Sequence, residues 1–123
     1  PFEEEIAARR ASLIRQGMTP ADARKAIEPL LIQAMLDGQN THYAVIDGFP
    51  IYREGVKVIS PAIGEIVLAS DGYPFLKPTL AESEAALQAQ LAADPQNISS
   101  FLATKGLLEG NHSFDDRSYI RFK

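Results

Sequence analysis

The sequence predicts an α+β domain: a helical N-terminal part, residues 1–40, followed by a sheet-plus-helix part, residues 41–123. Three observations carry this. Between Phe2 and Gly38, apolar side chains recur at helical spacing between recognisable start and stop signals. From Tyr43 the pattern changes to short β-branched and aromatic runs separated by turn residues. Two apolar strands, within Glu65–Ser70 and Ser118–Phe122, then flank a segment that opens with a helix-capping sequence.

In the first helix Phe2, Ile6, Leu13 and Ile14 are the apolar positions. Glu3, Glu4 and Glu5 come early and Arg9, Arg10 and Arg15 later, the order that suits the helix dipole. Gly17 is the stop. Thr19 is placed to cap a second helix, with Pro20 at its first position and Asp22 completing a capping box. Ile27, Leu30, Leu31, Ala34 and Met35 form its stripe, and Gly38 ends it. Pro29 should kink or split this helix, because it lacks an N–H and clashes with the preceding turn.

In the middle, Tyr43–Ile46, Ile51–Arg53 and Val56–Ile59 read as strand pieces divided by Asp47-Gly48 and Glu54-Gly55. Pro61 and Gly64 frame a further turn. The unbroken apolar run of Glu65–Ser70 implies a strand covered on both faces. Thr79-Leu80-Ala81-Glu82 is a capping box, so a helix should run from Leu80 to about Ala92. Its Leu80, Ala81, Glu84, Leu87 and Leu91 share one mostly apolar face. Asp94-Pro95 reads as the start of one more helix, burying Ile98, Phe101 and Leu102 and ending at Gly106. Ser118–Phe122 is the last strand.

Composition narrows the function classes. A length of 123 residues suits one compact domain. A net charge of −4 offers no bulk attraction to nucleic acid. There is no cysteine, which rules out disulfides and thiolate metal sites and fits a cytoplasmic protein. No apolar run approaches the roughly 20 residues of a membrane span, and no segment has signal-peptide order. The chain opens at Pro1 without an initiator Met, as a processed form or an excised piece does.

Two acidic sites stand out. In Ser70-Asp71-Gly72 an aspartate follows the end of the best strand. In Asp115-Asp116-Arg117-Ser118 two acids precede the last strand. If the two strands pair antiparallel, the end of one meets the start of the other, and Asp71 and Asp115 share one edge. Hard oxygen ligands of this kind suit Mg²⁺ or Mn²⁺, which keep several waters and use one or two carboxylates. The plainer alternative is that these are turn acids, or pair with Arg117 or Arg121. His112 is a candidate general acid or a solvated loop residue, His42 reads as structural, and Arg53, Lys57 and Lys105 as candidate anion contacts or plain surface.

The stretch Gly64–Lys123 resembles the end of the type 2C, metal-dependent serine/threonine phosphatase domain. That family has an apolar strand closing on Ala/Cys-Ser-Asp-Gly, then helices, then Asp-Asn-x-Thr/Ser opening a final strand. This chain has Ile66-Val67-Leu68-Ala69-Ser70-Asp71-Gly72 and later Asp115-Asp116-Arg117-Ser118-Tyr119-Ile120-Arg121-Phe122. The resemblance implies antiparallel sheet layers of a β-sandwich with helices packed on the outer faces, and Mg²⁺ or Mn²⁺ ligated by Asp71 and Asp115. Asp116 stands where the family has Asn, which adds a ligand or only charge. Tyr73-Pro74 departs from the Trp or Thr found after the Ser-Asp-Gly. The family's upstream Asp-Gly-His-Gly-Gly and Gly-Asp-Ser-Arg segments are missing, and Asp47-Gly48 shares only two residues with the former. The implied substrate is a phosphoserine or phosphothreonine protein, hydrolysed by the whole protein, with this chain inactive alone. The implied partners are a missing N-terminal half or a second copy. The alternative is a non-catalytic binding or regulatory module on the same scaffold.

Overall fold

A computed structural model describes residues 2–60 and 64–123. It is a small α+β fold of three α-helices, one 3₁₀ turn and one two-stranded antiparallel sheet. Helix α1 spans Phe2–Arg15 and α2 spans Pro20–Gly38. Gly17, at φ 101°, takes the left-handed backbone that closes α1. The Thr19 hydroxyl oxygen accepts the Asp22 N–H at 3.1 Å. Asp22 answers by accepting the Thr19 hydroxyl proton at 2.8 Å rather than a backbone N–H, so the expected capping box is only half formed. Pro29 does not split α2, which is continuous through it. The two helices form an antiparallel hairpin on Ile6, Ala7, Ala11, Ala23 and Ile27, all buried.

The middle segment corrects the sequence expectation. Tyr43–Ile46, Ile51–Arg53 and Val56–Ile59 form no strands. The segment holds a 3₁₀ turn, Arg53–Gly55, and a single bridge between Gln39 and Tyr43. The cause is local competition for N–H groups. Asn40, at φ 53°, accepts the N–H groups of Val45 (3.0 Å) and Tyr52 (3.2 Å) on one side-chain oxygen. Asp47 accepts Phe49 N–H and the side chains of Gln39 and Asn40. Pro61, half of the predicted Pro61–Gly64 turn, lies outside the described residues.

Strand β1, Ile66–Ala69, pairs antiparallel with β2, Tyr119–Phe122, in the register Ile66–Phe122, Val67–Arg121, Leu68–Ile120 and Ala69–Tyr119. The strand is not covered on both faces as expected, since Leu68 is 56% exposed. One sheet of two strands is present among the described residues, rather than the stacked sheets of a sandwich.

Helix α3, Leu80–Ala93, begins at the expected capping box. Thr79 accepts Glu82 N–H at 3.2 Å, and Glu82 accepts Thr79 N–H at 3.2 Å. Leu87 and Leu91 bury against Tyr73, with Leu107, Phe114 and Tyr119 closing a second core. The helix expected from Asp94 to Gly106 is absent. Asn97 sits at φ 52°, which stops helix propagation one turn in. The Asp94 carboxylate takes the N–H groups of Ile98 and Ser99 instead, and Ile98 bridges Leu102.

Three arginines tie the helical hairpin to this 96–104 loop. Arg10 donates to the carbonyls of Gln96 (2.7 Å) and Ala103 (3.3 Å) and to Gln96 Oε1 (2.9 Å). Arg15 donates to the Ile98 carbonyl, and Arg24 to the Thr104 carbonyl at 3.0 Å. Arg10 is only 1% exposed. Burial, and secondarily Arg24, lowers its pKa from the ordinary guanidinium value, against the pull of Asp94. A Cβ at Gly106 would run into the Gln96 side-chain oxygen and lie 2.8 Å from an Arg10 guanidinium nitrogen, so a larger residue would have to displace these side-chain ends.

Candidate metal site at the ends of the paired strands

The ladder continues one step past β1 and β2 through serine chemistry. Ser70 N–H donates to the Ser118 carbonyl at 3.0 Å, and Ser70 Oγ accepts Ser118 N–H at 2.9 Å. Ser70 and Ser118 thereby lock the two acidic loops together. Gly72 brings them into van der Waals contact. Its φ lies outside the left-handed region, so a turn is not what demands glycine. A Cβ at position 72 would run into the Asp116 carbonyl oxygen and lie 2.8 Å from Arg117 Cβ.

This geometry puts Asp71 and Asp115 on the wall of one cavity of about 360 Å³, as antiparallel pairing requires. Glu3 and Glu4, from the first turn of α1, line the same cavity, a contribution that sequence reasoning assigned only to the helix dipole. Asp71 is exposed. Asp115 is engaged: its Oδ1 accepts Lys105 Nζ at 2.7 Å and Asp116 N–H at 3.0 Å. Asp116 is exposed and lines a separate opening of about 660 Å³ with Tyr73, Glu84 and His112, so the structure does not bring it to the wall that holds Asp71. His112 is an exposed loop residue whose carbonyl accepts Gln88 Nε2.

The pairing partners of the arginines also differ from the simplest expectation. Arg117 and Arg121 do not pair with Asp115 or Asp116. Arg117 holds Glu84 in a two-pronged contact, Nε to Oε1 at 2.7 Å and the second nitrogen to Oε2 at 3.0 Å. Arg121 pairs with Glu65 at 2.7 Å. Tyr73 Oη donates to Glu84 Oε1 at 2.5 Å. Hydrogen bonds from Arg117 and then Tyr73 hold the Glu84 carboxyl below its usual range. The same contacts raise Arg117 and Tyr73 above theirs, in each case through Glu84 first. The signal for this cluster was in the sequence: Glu84 is the one acid on the otherwise apolar stripe of α3.

As a donor set, Asp71 and Asp115 offer hard carboxylate oxygens on a wall they share with Lys105 and with the apolar Phe101, Leu102 and Phe114. That fits an ion held by one or two carboxylates and otherwise by water. It does not fit a closed protein cage, since no three His, Asp or Glu side chains among the described residues come together around one point. Compared with family models, with curated proteins and with solved structures, the chain matches none.

Proposed function

We propose that this chain is the metal-holding C-terminal part of a type 2C-like phosphatase, acting on phosphoserine or phosphothreonine in the complete protein. The observation that supports it most is the antiparallel pairing of β1 with β2, which sets Asp71 and Asp115 against one cavity. In this reading the two aspartates hold Mg²⁺ or Mn²⁺, and Asp116 adds negative charge nearby. The bound ion would supply a water acidic enough to be hydroxide near neutral pH. The chain's own residues hold the loops in place: Ser70 and Ser118 fix the ladder end, and Gly72 allows the loops to touch. Lys105 neutralises Asp115 until an ion displaces it. The two-stranded sheet would be one edge of a larger sandwich with helices outside it, and the residues that grip the phosphate would come from outside this chain. The isolated chain is then inactive as a phosphatase.

The Lys105–Asp115 ion pair also favours a second reading, a non-catalytic binding or regulatory module. There Lys105 permanently replaces a metal.

Titration with Mn²⁺ during thermal unfolding separates the two, because a ligand specific to the folded state raises the midpoint. The phosphatase-like reading expects stabilisation that Asp71→Ala and Asp115→Ala abolish. It also expects a several-fold higher apparent affinity in Lys105→Met, where the competing ammonium is gone. A parent and a Lys105→Met variant that both ignore millimolar Mn²⁺ would remove the metal reading and leave the module.

A further inference from the structure

Strand β1 is open along one edge. The bond from Ser70 N–H to the Ser118 carbonyl makes Ser70–Ser118 a hydrogen-bonded pair. Alternation along an antiparallel ladder makes Leu68–Ile120 and Ile66–Phe122 hydrogen-bonded pairs as well. The N–H and C=O groups of Val67 and Ala69 therefore point away from β2. Among the described residues they have no backbone partner. Such an edge is a template for another strand.

The outward face is apolar. Ile66, Leu68, Ile120 and Phe122 share it by the two-residue alternation of a strand. Leu68 and Ile120, directly opposite each other, are both 56% exposed, and Phe122 is 44% exposed. Among the described residues no helix packs broadly on either strand. Two strands of four residues fall short of the three or more that a free-standing sheet needs.

The chain exposes 8879 Å². A compact monomer of 13.4 kDa exposes about 6,500 Å². The surplus, roughly 2,400 Å², is spread over the whole chain, and the free edge and outward face of β1 make up one part of it.

We propose that two copies of this chain pair antiparallel through the free edges of β1, about a two-fold axis at Val67, giving a four-stranded sheet in the order β2-β1-β1-β2. In this register Val67 faces Val67, Ile66 faces Leu68, and Glu65 faces Ala69. The outward groups of the odd-numbered residues meet each other, as the ladder demands. No like charges stand opposite, whereas an axis at Leu68 would set Glu65 against Asp71. Glu65 is already neutralised within its own copy by Arg121 at 2.7 Å. The uncharged run Ile66–Leu68, which pairs with itself in this register, is what selects a second copy as the occupant. The apolar face doubles in area and becomes continuous across the axis. The pairing is independent of the metal reading, because neither Asp71 nor Asp115 contributes to it.

Sedimentation equilibrium of the whole chain, from low to high micromolar concentration, should give twice the 13.4 kDa chain mass, with an unfolding midpoint that rises with concentration. Leu68→Lys, at an exposed position, should give a folded monomer with unchanged far-ultraviolet circular dichroism. Because the chain has no cysteine, Val67→Cys provides a check that does not depend on that variant. Paired residues of this kind stand about 5.5 Å apart at Cα, inside disulfide range. Mild oxidation should therefore cross-link Val67→Cys into a covalent dimer, and leave Glu109→Cys largely monomeric. A parent that stays monomeric at high concentration overturns the proposal and points to a different protein as occupant. A dimer that survives Leu68→Lys and cross-links no faster through position 67 than through position 109 overturns it too, since another surface then makes the dimer.

Discussion

Replacing Gly72 by Ala tests how the two acidic loops are held together. The new methyl group would run into the Asp116 carbonyl oxygen, and lie 2.8 Å from Arg117 Cβ and 3.0 Å from the Asp116 carbonyl carbon. Carbon atoms pack at about 3.5–4.0 Å, so the 116–117 backbone must retreat by roughly 1 Å. That backbone leads directly into Ser118, whose N–H and carbonyl are bound to Ser70 at 2.9 and 3.0 Å. Overpacking of this kind costs about 1–3 kcal/mol, and weakening two hydrogen bonds adds roughly 1 kcal/mol. Gly72→Ala should thus destabilise the fold by about 2–4 kcal/mol, with most of the cost in steric displacement. Urea unfolding of parent and variant, fitted with a common slope, measures it. The variant should also lose its Mn²⁺ response wherever enough folded protein remains to test. A change below about 0.5 kcal/mol, the size expected of an indifferent surface substitution, would refute the claim that close approach is the reason for glycine here.

Two further outcomes follow from the charged clusters. Arg10→Met removes three of the hydrogen bonds that join α1 to the 96–104 loop and leaves part-buried oxygens without a donor; it should cost about 3 kcal/mol and speed amide exchange in 96–106 more than in α3, whereas uniform protection would show that the loop stands without it. Glu84 is an acid whose folded pKa lies below its unfolded value, so its contribution is present above the unfolded pKa of about 4.3 and is lost as pH falls from there through the lowered folded value. Acid unfolding followed by tyrosine fluorescence should show this limb, and Glu84→Gln should flatten it. An unchanged acid limb in Glu84→Gln would assign the acid sensitivity to other carboxylates.

Much of the fold follows from short stretches of sequence because its signals are local. Thr19-Pro20, Thr79-Leu80-Ala81-Glu82, Gly17 and Gly38 mark helix ends through groups at most three residues apart, so no distant contact is needed to read them. The apolar runs around Ile66 and Ile120 were legible as strands, and pairing them sufficed to bring Asp71 and Asp115 to one wall. Tertiary structure decided the rest. Whether Tyr43–Ile59 forms strands depends on a neighbouring strand that could use its N–H groups; Asn40 and Asp47 take several of them instead. Whether Asp94 starts a helix depends on Arg10 and Arg15, which draw the carbonyls of Gln96, Ile98 and Ala103, each more than eighty residues further along the chain, toward α1. The partner of each charge at the site was equally hidden. Lys105 on Asp115, Glu84 on Arg117 and Glu65 on Arg121 are chosen by which loops and strands end side by side. A side chain's type is local, but the cation that faces it is set by packing between distant segments.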